Sequence, residues 1–214
     1  MAPLKGRPTV VPWSVAHPFR GANGTAHGPE SARRTVMAGC TTVEHGALVD
    51  RATLELMAER GTFYDPNTDL IFRNYFENKE KFLGIGNYTE EGFAQMERAA
   101  PLALAAFKTA LELPELKIVF GTDAVAGAHG RNAQELAYRV RTGGQTAGDA
   151  IVSATSLAAE SLGLEDEIGA IAPGVAADII ALDGDPLEEI GALARVVFVM
   201  KGGTVYKFEP AGSR

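Results

Sequence analysis

Three times between residues 41 and 121 a short β-favouring run stops at a polar tip and leads into amphipathic helix. The runs are 41–44, 62–64 and 117–121. Strands that alternate with helices pair in parallel, because each helix returns the chain across one face of the sheet before the next strand begins. The pattern therefore predicts an α/β fold built on a parallel sheet or barrel.

The helices between the runs carry their own punctuation. Pro29 to Ala38 has proline in its first turn and Gly39 at its end. Val49 to Arg60 has Asp50 at its start and Gly61 at its stop. Residues 67–88 are polar and aromatic without a period and predict a loop, after which Thr89 opens a helix to about Leu113. Two more helices are expected, Ala133 to Thr142 and Thr146 to Leu162, the second capped by Thr146. Beyond Gly163 the texture changes. Ile168–Ile171, Asp178–Leu182, Arg195–Met200 and Thr204–Lys207 are short apolar runs separated by Pro-Gly, Gly-Asp-Pro and Gly-Gly turns, and predict a small β unit. Residues 1–28, broken by Pro3, Pro8, Pro12 and Pro18, show no period and leave Trp13 and Phe19 without partners; they read as an irregular leader.

Composition narrows the classes. With 214 residues, 46% hydrophobic and 22% charged, the chain is ordinary globular material, and a fibrous or wholly disordered class drops out. The length suits one domain with a small appendage, but not a complete (β/α)₈ barrel of roughly 250 residues carrying a second domain. A net charge of −7 argues against nucleic-acid or anionic-membrane partners, and Arg33–Arg34 and Lys79/Lys81 are too small to reverse it. The lone Cys40 forms no internal disulfide, so a reducing cytoplasm is expected, with Cys40 a buried, inert thiol. No apolar run reaches the roughly 18 residues of a membrane span.

Side chains just past the last apolar residue of a parallel strand point to the mouth where such folds do chemistry. His45 follows the first run and Asp123 the third. An imidazole and a carboxylate converging there can bind a divalent metal and activate water. Taken singly, each is more often a hydrogen-bonded structural histidine or a capping aspartate. His129 and Asn132 lie in the glycine-rich loop after Asp123, where they could meet substrate. Glu30, Glu44 and Glu135 are acid/base candidates, with Glu135 expected on a solvated helix face. No phosphate-binding glycine pattern, G-x-S-x-G elbow or His-Glu-x-x-His is present. A flavodoxin-like domain would need a phosphate loop where Glu44-His45-Gly46-Ala47 stands.

Thr25-Ala26-His27-Gly28-Pro29-Glu30, Val43-Glu44-His45-Gly46 and Gly121-Thr122-Asp123-Ala124, with His129-Gly130-Arg131-Asn132, resemble the amidohydrolase superfamily in its imidazolonepropionase-like and Xaa-Pro dipeptidase-like branch. The tail from Gly169 to Gly203 is similar to that superfamily's return to its small β-sandwich, so the resemblance covers about residues 25–208. It implies a partial (β/α)₈ TIM barrel over 29–163, about strands six to eight, a β-sandwich segment over 164–208 and a tail over 209–214. It also implies a divalent metal, commonly zinc, and a small amide or dipeptide substrate. His45 and Asp123 would be metal ligands, Asp123 the proton-transferring group, and His27, His129 and Asn132 substrate contacts. The superfamily's His-x-His, its carboxylated lysine and the first histidine of His-Ala-His-Gly are missing, the last replaced by Thr25, and residues 1–24 do not read as a fifth strand. Loss of sequence upstream of about residue 26, by truncation or a shifted frame, would explain this. Two ligands are fewer than the three protein ligands of a catalytic zinc. The expectation is thus a metal-dependent amidohydrolase inactive alone, completed by a homo-oligomer or a complementing chain, or else a non-catalytic interaction module of the same fold.

Overall fold

Thr42 and Val43 are β-branched and small enough to lie flat between two neighbouring strands, and the sheet is built outward from them. The computed structural model describes residues 23–209. Strands β1 (Asn23–Ala26), β2 (Thr42–His45) and β3 (Phe63–Pro66) form a parallel sheet in that order. Thr25, Glu44 and Asp65 stand in one row, and Ala26, His45 and Pro66 in the next.

Asn23–Ala26, which the sequence assigns to an irregular stretch, forms strand β1. Asn-Gly-Thr-Ala carries no alternation and little β preference; pairing with Thr42–His45 makes it a strand, a tertiary cause that local pattern cannot register. Trp13, Phe19 and the rest of residues 1–22 lie outside the described residues. β3 runs through Asp65 and Pro66, where a turn was expected. Proline is tolerated there because β3's last ladder bonds on its far side are made by Tyr64.

The expected strand at 117–121 is reduced to one parallel bridge, Tyr64 with Ile118. Tyr64 N donates to Lys117 O and Val119 N to Tyr64 O, both at 2.9 Å. Beyond that point the backbone is engaged elsewhere: Val119 O accepts from the Arg139 guanidinium at 2.9 Å and Phe120 N donates to Ser153 O at 3.0 Å. The segment keeps a strand's position without a strand's ladder.

Helices α1 (Pro29–Met37) and α2 (Arg51–Arg60) return the chain between strands, and α2 is bounded as its sequence requires. The Asp50 side chain accepts from Thr53 N, and Gly61 closes the helix in the left-handed region at φ 67°. Val43, Tyr64 and Ile118 meet Val36, Leu54, Met57 and Phe107 in one buried layer between sheet and helices. Because side chains alternate along a strand, Glu44 and Asp65 project from the opposite face.

Residues 67–88, expected to be a loop, hold helices α3 (Leu70–Glu77) and α4 (Lys79–Phe82). Tyr75, Phe82 and Tyr88 pack ring against ring beneath them. The long helix α5 (Glu90–Leu111) follows, capped by Thr89, whose hydroxyl accepts from Gly92 N at 3.1 Å. The two later helices are each interrupted. The first is α6 (Ala133–Tyr138) continued by a π turn at Arg139–Gly143, and the second is α7 (Ala147–Ser153) and α8 (Ser156–Leu162). Among the described residues no helix is long and apolar enough to cross a membrane.

The tail folds as an antiparallel sheet, β4 (Ile179–Leu182), β5 (Val196–Lys201) and β6 (Thr204–Phe208), in that order. Ile168–Ile171 does not join it. Gly169 sits at φ 90° with its α-carbon so close to α8 that an added Cβ would lie 2.7 Å from Ala159 Cβ. Within that run Gly169 lies against the helix, while Ile171 is exposed. Cys40 is half-buried rather than buried, and free.

Candidate active site

Parallel strands deliver the residues past their ends to one side of the sheet, and here four polar side chains arrive together. His27 follows β1, His45 ends β2, Asn67 follows β3 and Asp123 lies just past the bridged segment. All four line a pocket of about 280 Å³. Its apolar wall comes from Ile71, Phe72, Tyr75, Tyr88 and Met96, so the helices that replace the expected loop form one side of the site.

The backbone marks the same place. Among the described residues His45 (φ 67°) and Asp123 (φ 44°) are the only ones other than glycine with positive φ. The left-handed region costs an ordinary L-residue roughly 1–2 kcal/mol, and such strain concentrates at functional sites. Gly46, next in the chain at φ 50°, lets the turn pass against Tyr64, whose ring carbon would lie 2.5 Å from a Cβ there. The turn aims the His45 ring at the pocket.

His45 Nδ1 is 2.5 Å from Asn67 Oδ1 and 3.8 Å from Asp123 Oδ2, the latter beyond hydrogen-bond reach. The His27 ring stacks on the His45 ring, centroids 4.9 Å apart and planes 21° from parallel. Burial, helped by the neighbouring His45, pushes the His27 imidazole below its ordinary range, against the pull of Asp123. Nitrogen lone pairs lie in the ring plane, so two nearly parallel rings do not aim theirs at one common point. Among the described residues no group of three or more His, Cys, Asp or Glu side chains is arranged to hold a metal ion.

The other expected contacts stand apart from the pocket wall. His129 is exposed, and Asn132 donates from Nδ2 to Thr122 Oγ1 at 3.2 Å, bracing the segment beside Asp123. Glu30 is a surface group paired with Arg34. Glu135 overturns its expected place on a solvated face, for it is fully buried. Its carboxylate accepts from Thr68 N and Oγ1 (2.8 and 2.6 Å), Asp69 N (3.1 Å) and Leu70 N (2.7 Å). A helix start leaves free N–H groups that a carboxylate satisfies well, and Glu135 does this for α3 from a distant helix. Asn67, outside the expected site, joins it as the first residue beyond β3, delivered to the same mouth as His45.

Beneath the mouth, Glu44 and Asp65 share a hydrogen bond. Burial and that bond push the Asp65 carboxyl up to about 8, against the nearby Arg139 guanidinium. An unfolded chain releases the same proton near pH 4, so the folded state binds the extra proton between these values and loses stability as pH rises through them. Asp65→Asn is therefore expected to flatten the fall in melting temperature between pH 5 and pH 8. Parallel curves for variant and parent would place the proton elsewhere.

The amidohydrolase family model matches residues 21–207. The ochratoxinase of Aspergillus niger is 31% identical over 202 residues, which are 92% of this chain and 40% of that enzyme. A solved Xaa-Pro dipeptidase with methionine in its active site is 36% identical and superposes with a TM-score of 0.75, covering 86% of this chain and 44% of that one. A prolidase structure holding N-methylphosphonate-L-proline is 30% identical, TM-score 0.76, over 87% and 45% of the two chains. The chain thus spans less than half the length of these relatives. The match nonetheless runs continuously from β1 through the parallel strand mouths to the terminal sheet, and on that ground the chain belongs to the amidohydrolase family.

Proposed function

We propose that this chain is part of a hydrolase that cleaves C–N bonds in small amides or dipeptide-like molecules, with His45 and Asp123 as its share of the reacting centre. The observation that carries the reading is their arrangement. Two side chains from separate parallel segments, both on strained backbone, stand side by side at the strand ends and open on one pocket. The parallel order of β1, β2, β3 and the bridged segment supports an arc of a (β/α)₈ barrel, with β4–β6 as part of a small sandwich.

His45 and Asp123 suit a divalent metal such as zinc by donor type. As a site they are incomplete, since a catalytic zinc takes about three protein ligands. Further donors would come from outside the described residues, and the metal when bound would supply an acidified water. Asp123 does the proton work: a carboxylate oxygen takes the proton of the attacking water and returns it to the departing nitrogen, which leaves as an amine rather than an amide anion. His27 faces the substrate from the pocket wall. His129 and Asn132 would meet only a substrate that reaches beyond the pocket. No lysine or arginine is among the described residues that line the cavity, so nothing there pairs with an anionic group, and the wall of Ile71, Phe72 and Met96 favours an apolar part of the substrate.

The incomplete donor set favours one second reading, a non-catalytic module that keeps the fold. One experiment separates them: zinc content and hydrolysis of N-acyl amino acids and Xaa-Pro dipeptides, measured on this chain alone and together with the remainder of a relative supplied in trans. The hydrolase reading expects no turnover alone and turnover on mixing, with apolar acyl or side-chain groups preferred over charged ones. No turnover in either state would leave the non-catalytic module. Stoichiometric zinc and turnover by this chain alone would overturn the incomplete donor set.

A further inference from the structure

The contact between Asn67 and His45 fixes more than proximity. Asn67 is buried, and its Oδ1 lies 2.5 Å from His45 Nδ1. An amide oxygen carries no proton, so the hydrogen bond exists only when Nδ1 carries one. In a neutral imidazole the lone pair then belongs to Nε2. The Asp123 carboxylate, 3.8 Å from the same Nδ1, favours a proton on that side as well. Stacking on His27 limits rotation of the ring away from this arrangement.

Asn67 is itself held. Its chain neighbours Thr68, Asp69 and Leu70 all donate to the Glu135 carboxylate, four bonds of 2.6 to 3.1 Å in a fully buried setting. The first residue of the clamped stretch is Thr68, so the Asn67 backbone is tethered at its very next position. In a neutral imidazole, which nitrogen is bare is set by the partner of the other.

We propose that Asn67 is a positioning residue that locks His45 in the Nδ1–H form and so leaves Nε2 as its bare nitrogen, with Glu135 anchoring Asn67 from behind. Any use of that nitrogen in the reaction rests on the function proposed above; the tautomer does not, because it exists without metal or turnover. Free neutral imidazole in histidine prefers the Nε2–H form, so the lock runs against the intrinsic preference and is measurable.

The test is a long-range ¹H–¹⁵N spectrum of the full chain, labelled at histidine, at pH 8, with the His45 signals assigned by their loss in His45→Gln. The expected result is the Nδ1–H pattern for His45 in the parent chain. Asn67→Asp, which keeps an acceptor oxygen in place, is expected to retain it, and Asn67→Leu to return His45 to a majority of the Nε2–H form. An Nε2–H pattern in the parent chain overturns the proposal whatever the variants do. So does an unchanged Nδ1–H pattern in a folded Asn67→Leu chain. Failed hydrolysis with a confirmed Nδ1–H lock would remove the enzyme reading alone, and the reverse outcome would remove the lock alone.

Discussion

Glu135→Ala is expected to lower the stability of the chain by about 3–5 kcal/mol, the usual cost of leaving a buried charge without its partner. Arg139 is fully buried, and Glu135 Oε1 stands 3.6 Å from its Nε. The guanidinium also donates to Val119 O and Pro66 O and lies between the rings of Phe107 and Phe120, at 5.5 and 5.2 Å. It cannot leave for solvent without taking apart the junction of β3 and the bridged segment. Asp65, 3.8 Å from the same group, offers partial relief. Its carboxyl holds a proton up to about pH 8 in the intact fold, so it must first ionise to serve as counter-ion. That competition favours the lower half of the range at alkaline pH and the upper half near pH 6.

The same substitution strips four acceptor contacts from the start of α3, which has no side-chain cap of its own. For a domain of this size about 2–4 °C of melting temperature accompanies each kcal/mol, so a drop of roughly 6–20 °C is expected. Glu135→Gln should fall between, keeping some acceptor contacts while losing the charge. Urea and thermal melts check this, and a Glu135→Ala chain within about 1 kcal/mol of the parent would show that α3 and Arg139 find other partners.

Where cause and effect lie close in the chain, the sequence could be read. Asp50 and Gly61 bound α2 because cap and stop act on the helix they flank. His45 and Asp123 were legible because polar residues just past a strand's last apolar residue fall at the mouth of a parallel sheet. Other elements depend on distant partners. β1 is a strand through its register with β2, not through any preference of Asn-Gly-Thr-Ala. α3 begins where it does because a carboxylate 65 residues ahead of Leu70 receives its free N–H groups. Glu135 gave no local sign of this, since Glu and Arg four apart on a helix occur on any solvated face. Asn67 was hidden differently: Asp65-Pro66-Asn67 reads as a turn, and the turn reading masked a strand end that carries a site residue.

Asp123→Asn is expected to cut kcat/KM by about 10²–10⁴-fold in the assembled hydrolase, the range that general acid–base transfer supplies. The substitution is chosen so that a loss can be assigned to chemistry. Asp123 sits at φ 44°, and asparagine is among the residues that best tolerate the left-handed region, whereas alanine would add strain. Its side chain is 48% exposed and 3.8 Å from the His45 imidazole, so the fold gains little from the carboxylate. Stability should stay within about 0.5 kcal/mol of the parent. Asparagine keeps the shape and one carbonyl oxygen but can neither accept the proton of the attacking water nor return it to the leaving nitrogen. The loss should therefore fall on the chemical step, with melting curve and circular dichroism unchanged. Turnover within tenfold of the parent would take the proton from Asp123 and assign it to another group. Loss of turnover together with loss of bound zinc, at unchanged stability, would instead make Asp123 chiefly a ligand, and the two outcomes are separated by metal analysis of the same samples.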